Sequence, residues 1–282
     1  MCLSECVVCD NHEFSEDDSD EMARIVNVEA YRWNLQCVNP HRRQKRLFQA
    51  PGIFRSAREN SIFGLRQQIT EAGGVNVTDH DGQTIIMVAA KYGATRFIKK
   101  VFYHHLARVN AQDVYGRTAL MYAIRRGSRR CVEVLLHQGT DVDITDNWNA
   151  TALHYAAFCP NPIVLRMILA KRPDINAKDY FHSTPLDTAV VRGMARNVKI
   201  LLQNGADRKL KDYKGRIPLI AAVQHQEPAL VQNLMTMDTV DIPDHEGKTA
   251  LYYSVLQGKT NIVEMLIVQG ASLLTRDNFP VN

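Results

Sequence analysis

A string of similar residues recurs through most of this chain at a spacing of about 33 residues. Each copy opens on an aspartate, and these aspartates are Asp79, Asp113, Asp146, Asp179, Asp212, Asp244 and Asp277. Neighbouring aspartates are 34, 33, 33, 33, 32 and 33 residues apart. A period of this length is typical of solenoids, in which each unit packs only on its neighbours. The spacing therefore predicts a stack of similar units.

Within one copy, the residue types predict a tight turn followed by two short helices. In the copy that begins at Asp113, Gly116 follows the aspartate by three residues and suits a turn with positive φ. The copy that begins at Asp146 has another residue in place of this glycine. Thr118 then stands where it can cap a helix, and Leu120 and Ile124 begin an i, i+4 apolar pattern. The predicted inward positions of the second helix are Cys131, Val132, Leu135 and Leu136.

The tetrapeptides TALH at Thr151–His154 and TPLD at Thr184–Asp187 resemble the ankyrin-repeat family, as do the segments HQGTDVD and QNGAD. The resemblance covers about residues 50–282 and implies an all-α ankyrin-repeat solenoid of helix-turn-helix units with β-turn hairpin fingers. It also implies a structural, hydrogen-bonding role for His154. The predicted domains are a leader at 1–46 and a repeat domain at 47–282, with a degenerate first unit at 47–78, repeats at 79–112, 113–145, 146–178, 179–211, 212–243 and 244–276, and an incomplete start of another at 277–282.

Two kinds of departure from the pattern predict local weakness. Asn149 and His182 replace the turn glycine, and asparagine tolerates positive φ better than histidine does. Ile217 replaces the capping threonine, which should weaken that helix start by about 1 kcal/mol. The same unit lacks the glycine that closes the second helix elsewhere.

Composition and charge narrow the class of protein. With 282 residues, 45% hydrophobic and 23% charged, the chain has an ordinary globular composition. It has no run of eighteen apolar residues and no secretory signal, so we expect no membrane span and a cytoplasmic or nuclear location. The net charge is +4, although residues 1–24 alone carry −7. This acidic, cysteine-containing leader, which turns basic at 41–46, is predicted to be mostly disordered.

Sequence motifs for catalysis are absent. The chain contains no GxSxG, Gly-rich phosphate loop or HExxH pattern, so we predict a protein that is not an enzyme and needs no cofactor. Cys2, Cys6 and Cys9 could bind a metal, but a fourth ligand is not evident and no metal site is predicted. Cys2 or Cys6 could instead be lipidated.

The candidate binding site follows from the repeat register. The second residue after each opening aspartate occupies a finger tip, and three consecutive tips are aromatic: Tyr115, Trp148 and Phe181. We expect the exposed side of the first helices to extend this surface with Tyr122, Tyr155, Phe158, Arg125 and Arg126. Aromatic residues and arginine are enriched at binding hot spots. These rings could bind a partner, or they could pack between neighbouring fingers and stiffen them.

A second candidate is a basic hairpin composed of Arg208, Lys209, Lys211, Lys214 and Arg216. It could attract an acidic protein segment, including the leader of this same chain. Nucleic acid is disfavoured because no nucleic-acid-binding module is recognisable and Tyr213 alone interrupts the cations.

These features predict a non-catalytic scaffold or adaptor that binds a partner protein through its fingers and inner helices. The alternative is a targeting or regulatory segment of a larger enzyme or channel, since Asp277–Asn282 begins a further unit.

Overall fold

The computed structural model describes residues 52–104, 107–225 and 227–273. Within these stretches the chain forms fourteen helices arranged as seven pairs. The first, or inner, helices are Gly52–Glu59 (α1), Ile85–Tyr92 (α3), Ala119–Arg126 (α5), Ala152–Ala157 (α7), Pro185–Val191 (α9), Pro218–Gln224 (α11) and Ala250–Leu256 (α13). The second, or outer, helices are Leu65–Glu71 (α2), Thr95–His104 (α4), Arg129–His137 (α6), Pro162–Leu169 (α8), Ala195–Gln203 (α10), Pro228–Leu234 (α12) and Thr260–Val268 (α14).

The helix pairs stack in chain order. The two helices of a pair pack against each other, and each pair packs against the next. From one unit to the next, inner helices pack on inner helices, and from α4 onward outer helices pack on outer helices. The predicted apolar faces form the core: Leu120 and Ile124 are buried, as are the four inward residues predicted for α6. This arrangement confirms the predicted all-α solenoid. The leader at 1–46 and the partial copy at 277–282 lie outside the described residues.

Threonine caps begin four of the inner helices as predicted. The hydroxyl oxygens of Thr84, Thr118, Thr184 and Thr249 accept a hydrogen bond from the backbone N–H three residues later, at 3.3–3.4 Å. These bonds satisfy helix donors that have no partner within the helix. Ile217 supplies no such bond, although Pro218 at the first helical position needs none for its own nitrogen.

The opening aspartates shape the turns of the fingers. In the unit that begins at Asp113, Oδ1 of that residue accepts the backbone N–H groups of Tyr115 and Arg117, both at 2.9 Å. The same two bonds recur at Asp79, Asp146, Asp179, Asp212 and Asp244. Asn149 and His182 adopt φ of 61° and 56°, as predicted for residues that replace a turn glycine.

Main-chain hydrogen bonds connect each finger to the next. In each case a residue following the opening aspartate donates its N–H to the tip carbonyl of the preceding finger. The donor–acceptor pairs are Val114–Asp81 (3.1 Å), Asn147–Tyr115 (3.0 Å), Tyr180–Trp148 (2.8 Å), Tyr213–Phe181 (3.2 Å) and His245–Lys214 (3.1 Å). We call this series the finger ladder. It fixes the register of adjacent tips without help from their side chains.

Threonine, rather than glycine, closes the outer helix of the unit that begins at Asp212. The hydroxyl of Thr239 donates to the carbonyl of Leu234 at 3.2 Å, and its side chain is fully buried. Helix α12 ends with Met235 in an extended conformation. The search for a closing glycine overlooked this side-chain bond, and the weakness expected of this unit stays a prediction.

Candidate functional site

The aromatic tips lie at the surface but are not fully solvated. Tyr115 is 39% exposed and Trp148 is 37% exposed. Phe181 is half-buried, because its ring packs against Tyr180 and Tyr213 at centroid distances of 5.3 and 6.0 Å. Tyr180 itself is 71% exposed. We call Tyr115, Trp148, Tyr180 and Phe181 the finger surface.

Arg117 holds two of these rings in place. Its guanidinium carbon lies 5.0 Å from the centroid of Tyr115 and 5.4 Å from that of Trp148, in the neighbouring finger. Such cation–π contacts are worth more when the cation is desolvated, and Arg117 is buried. These contacts support the alternative in which the rings stiffen the fingers, although each ring still presents over a third of its area to solvent. Binding of a partner by these rings stays a prediction.

Tyr122 and Tyr155 occupy a different place from the one predicted. Both were expected on the exposed side of the inner helices, but they are only 4% and 6% exposed. The hydroxyl of Tyr122 donates to Oδ2 of Asp113 at 2.5 Å, and that of Tyr155 donates to Oδ2 of Asp146 at 2.7 Å. The prediction of exposed rings is wrong because each hydroxyl reaches back, beneath the finger tips, to the aspartate that opens its unit.

Burial and hydrogen bonding perturb these phenols. Burial raises the pKa of Tyr122, and its bond to Asp113 raises it further. Burial likewise raises the pKa of Tyr155, helped by the charge of Asp146. The guanidinium of Arg117 lies beside both hydroxyls and acts in the opposite direction. The phenols consequently stay neutral and serve as donors within a buried polar cluster.

His154 joins two units through its ring. Nδ1 accepts the backbone N–H of Thr151 at 3.1 Å, while Nε2 lies 3.1 Å from the carbonyl oxygen of Ser183, in the next finger. Burial lowers the pKa of His154, which keeps the imidazole neutral with its proton on Nε2. The predicted structural, hydrogen-bonding role of this residue is confirmed.

The ends of the inner helices carry the remaining predicted residues. Phe158 is half-buried and its ring centroid lies 5.7 Å from that of Tyr155. The guanidinium of Arg192 lies 5.7 Å from the ring of Phe158. Arg125 is half-buried and Arg126 is exposed. Whether these groups bind a partner stays a prediction.

The basic hairpin does not present five cations to one shared anion site. Arg216 forms an ion pair with Asp212 at 2.7 Å, and Lys209 forms one with Asp238 at 3.4 Å. Two further cations also contact groups of the chain: Lys211 Nζ donates to the carbonyl of Pro243 at 2.7 Å, and Lys214 Nζ lies 5.4 Å from the ring of Tyr213. The structure therefore directs these side chains to separate partners.

The described stretches were searched for metal-binding clusters and for membrane-spanning helices. Over 52–104, 107–225 and 227–273, no group of three or more His, Cys, Asp or Glu residues is arranged to hold a metal ion. No helix of the same stretches is long and apolar enough to cross a membrane. Cys131 and Cys159 are buried free thiols, whereas Cys2, Cys6 and Cys9 lie outside the described residues.

Sequence reasoning missed Tyr180 and Arg117. Both occupy fixed places in the register: Tyr180 directly follows its opening aspartate, and Arg117 follows Asp113 by four residues. The second position after each aspartate was searched for large rings, but these two flanking positions were not. A search of every finger position would have found both residues.

A family model for ankyrin repeats, in three copies, matches residues 53–146, 131–212 and 186–277. The chain belongs to the ankyrin-repeat family. Ankyrin repeats are protein–protein interaction modules, and their fold is typically non-catalytic. The family assignment agrees with the turn, capping and helix-pair geometry described above.

Curated relatives share part of this ankyrin-repeat region. An ankyrin repeat and SAM domain-containing protein 6 from Rattus norvegicus is 36% identical over 97 residues, which is 33% of this chain and 11% of the relative. The protein of the same description from Mus musculus is 33% identical over 94 residues, covering 33% of this chain and 10% of the relative. The chain thus spans about a tenth of the length of these relatives.

A solved ankyrin-repeat structure shows the same fold. The human ASB11 ankyrin repeat domain superposes with a TM-score of 0.69 at 23% sequence identity. The superposition covers 80% of this chain and all of that domain. At this level of identity, the likeness concerns the fold alone.

Proposed function

We propose that this ankyrin-repeat protein is a non-catalytic scaffold that binds a partner protein through its finger surface. The observation that carries the proposal is the exposure of large aromatic side chains on three neighbouring fingers. Finger tips are normally solvated, and rings at such positions are the residue type enriched at interface hot spots. Arg117 contacts two of these rings, Tyr115 and Trp148. The main-chain hydrogen bonds of the finger ladder hold the backbone of the tips.

Rigid support favours binding for an entropic reason. Association costs free energy when loops and side chains must be ordered at the interface. The tips of this chain are already held by main-chain bonds between fingers, and two of the rings stack on a buried guanidinium. The surface therefore keeps more of its interaction free energy than a flexible loop would.

A paired alanine substitution tests the proposal. Trp148→Ala with Tyr180→Ala removes two exposed rings of the finger surface, while the control pair, Phe63→Ala with Tyr103→Ala, removes two exposed rings that lie elsewhere in the first two units. We expect crosslinked partner proteins, identified by mass spectrometry, to be lost with the first pair and kept with the second. Partners that survive the first pair would contradict the proposal.

A further inference from the structure

The three aromatic tips form one row along consecutive fingers. Tyr115, Trp148 and Phe181 occupy equivalent positions, each two residues after the aspartate that opens its unit. The carbonyl of Tyr115 accepts the N–H of Asn147 at 3.0 Å, in the finger that carries Trp148. The carbonyl of Trp148 accepts the N–H of Tyr180 at 2.8 Å, in the finger that carries Phe181. We call Tyr115, Trp148 and Phe181 the aromatic row.

Arg117 limits the spacing of this row. Its guanidinium carbon lies 5.0 Å from the ring centroid of Tyr115 and 5.4 Å from that of Trp148. The two centroids therefore lie at most about 10 Å apart, which agrees with the ~8–10 Å between the axes of packed helices. The inner helices of these three units, α5, α7 and α9, pack on one another in turn. The row consequently offers one ring per unit at a regular interval.

The row and its neighbour Tyr180 carry hydrogen-bond donors beside apolar ring surface. Tyr115 and Trp148 are each over a third exposed, and Tyr180 is 71% exposed. Within the described residues, the hydrogen bonds of these three residues are made by the main chain only. Their hydroxyls and the indole N–H, which can only donate, remain available to a ligand. A matching partner supplies carbonyl acceptors between apolar groups.

A polyproline II segment has both properties. This helix has three residues per turn and rises about 3.1 Å per residue, so every third residue returns to the same face after ~9.3 Å. Its carbonyls make no internal hydrogen bond, and proline has no N–H that binding would leave unpaired. The repeat of such a segment therefore matches the interval of the aromatic row, and its carbonyls match the donors.

Other regular conformations fit the row less well. Residues of a β-strand alternate between two faces, so one face repeats every ~6.6 Å. One turn of an α-helix advances ~5.4 Å, and the carbonyls of the helix are already bonded to its own N–H groups. Neither conformation combines the interval of the row with unpaired carbonyls on the same face.

We propose that the partner segment bound by this surface is a proline-rich chain in the polyproline II conformation, with prolines three residues apart packed on the aromatic row. The hydroxyl of Tyr115 and the indole N–H of Trp148 donate to carbonyls that lie between these prolines. Such a segment is largely ordered before it binds, so association costs less conformational entropy. This inference rests on the proposed function, since it names the chemistry of the partner at the same site.

Two synthetic nine-residue peptides of identical composition test the inference on the wild-type chain. One is Ac-PAAPAAPAA-NH2, with prolines three residues apart, and the other is Ac-PAAAPAAAP-NH2, in which no two prolines share a face of the helix. Isothermal titration calorimetry measures their affinities. We expect the first peptide to bind at least about fivefold more tightly, because only its prolines reach all three tips at once. Equal affinities, or no binding of either peptide at about 1 mM, would overturn the inference.

Substitutions in the row separate ring contact from hydrogen bonding. Trp148→Ala should weaken binding of the first peptide at least about tenfold. Tyr115→Phe keeps the ring and removes the hydroxyl, and it should weaken binding about two- to tenfold. The control Tyr103→Phe, which removes an exposed hydroxyl on α4, should leave affinity unchanged. Circular dichroism melting checks that each variant folds, and the wild-type peptide comparison decides the matter for any variant that does not.

The outcomes distinguish this inference from the proposed function. Peptide binding that survives both Trp148→Ala and Tyr115→Phe would place the peptide elsewhere and overturn the inference. Loss of crosslinked partners with Trp148→Ala plus Tyr180→Ala, in a chain that binds neither peptide, would reject the proline-rich partner and leave the proposed function intact. Survival of those partners, without peptide binding, would reject both.

Discussion

The phenolic hydroxyl of Tyr155 donates a 2.7 Å hydrogen bond to Oδ2 of Asp146, the aspartate that opens its own unit nine residues earlier. The same bond joins Tyr122 to Asp113 and Tyr253 to Asp244. In each case Oδ1 of the aspartate shapes the finger turn and Oδ2 binds the inner helix. One carboxylate therefore couples a finger to the helix beneath it.

Removal of this hydroxyl should destabilise the protein without altering its surface. Tyr155→Phe leaves a buried carboxylate oxygen without its phenol donor, and we expect a loss of about 1–3 kcal/mol in the free energy of unfolding. Urea denaturation followed by circular dichroism measures the change. Tyr253→Phe is the control, since its hydroxyl makes the same 2.7 Å bond in a more exposed place and should cost less. Equal losses for both variants would argue against burial as the cause.

A pair of glycine substitutions separates backbone strain from the contact between fingers. Gly116 and Gly139 have φ of 72° and 75°, but a Cβ on Gly116 would lie 2.8 Å from the backbone nitrogen of Asn147, whereas one on Gly139 would meet nothing within 4 Å. Gly139→Ala should cost about 1 kcal/mol from φ alone. Gly116→Ala should cost clearly more, because the finger ladder must shift to accommodate the methyl group.

Thermal denaturation of the two glycine variants provides the measurement. The larger fall in melting temperature is expected for Gly116→Ala. If the two variants have the same melting temperature, the close contact with the Asn147 backbone adds nothing to the strain of positive φ.

Asp187 should make stability depend on pH in the opposite sense to an ordinary paired carboxylate. Burial raises the pKa of Asp187 to about 7, although hydrogen bonds from Thr184 act in the other direction. The folded state thus holds this proton more tightly than the unfolded chain, whose Asp titrates near ~4. The stabilising contribution is complete below about pH 4 and is lost as pH rises through about 7.

Asp187→Asn should remove that dependence. The difference in unfolding free energy between wild type and variant should change progressively between pH 5 and pH 8. As pH rises, the wild type should become less stable relative to the variant. Asp143→Asn, at an exposed position, serves as the control and should track wild type. A constant difference between wild type and Asp187→Asn over this range would contradict a raised pKa.

Arg117→Met should loosen the finger surface. The substitution removes the cation between Tyr115 and Trp148 at similar side-chain length, and we expect a loss of about 1–3 kcal/mol in stability. The chain has two tryptophans, so Trp148 fluorescence is isolated in a Trp33→Phe background. Acrylamide quenching of Trp148 should increase. Arg126→Met, at an exposed helix end, should leave quenching unchanged; no change with Arg117→Met would mean that the guanidinium does not fix the ring.

The period and the residue types at fixed register positions were enough to predict the solenoid, its caps and its turns. Thr118 and Gly116 act through local backbone geometry, which one unit specifies by itself. The depth of Tyr122 and Tyr155 was not predicted, because exposure of an inner-helix residue depends on how closely the next finger covers it. The nine-residue spacing from Asp to Tyr, repeated in three units, was nonetheless present in the sequence as a signal of pairing.

The basic hairpin shows a second limit of prediction from the sequence. Charge counting places Lys209 and Lys211 in one group, but both side chains extend to the following unit, where Asp238 and the Pro243 carbonyl receive them. Contacts between units depend on the stacking distance, which no single repeat encodes. Charge counting along the sequence therefore does not show which contacts each cation makes.

The finger ladder has a consequence for how such a protein can diverge. Its bonds use only main-chain N–H and carbonyl groups, so the distance from one tip to the next does not depend on which side chain stands there. Asp81, Tyr115, Trp148, Phe181, Lys214 and Glu246 occupy equivalent places despite their different chemistry. Substitutions at the tips can accordingly exchange one ligand preference for another while the spacing between contact points is inherited unchanged.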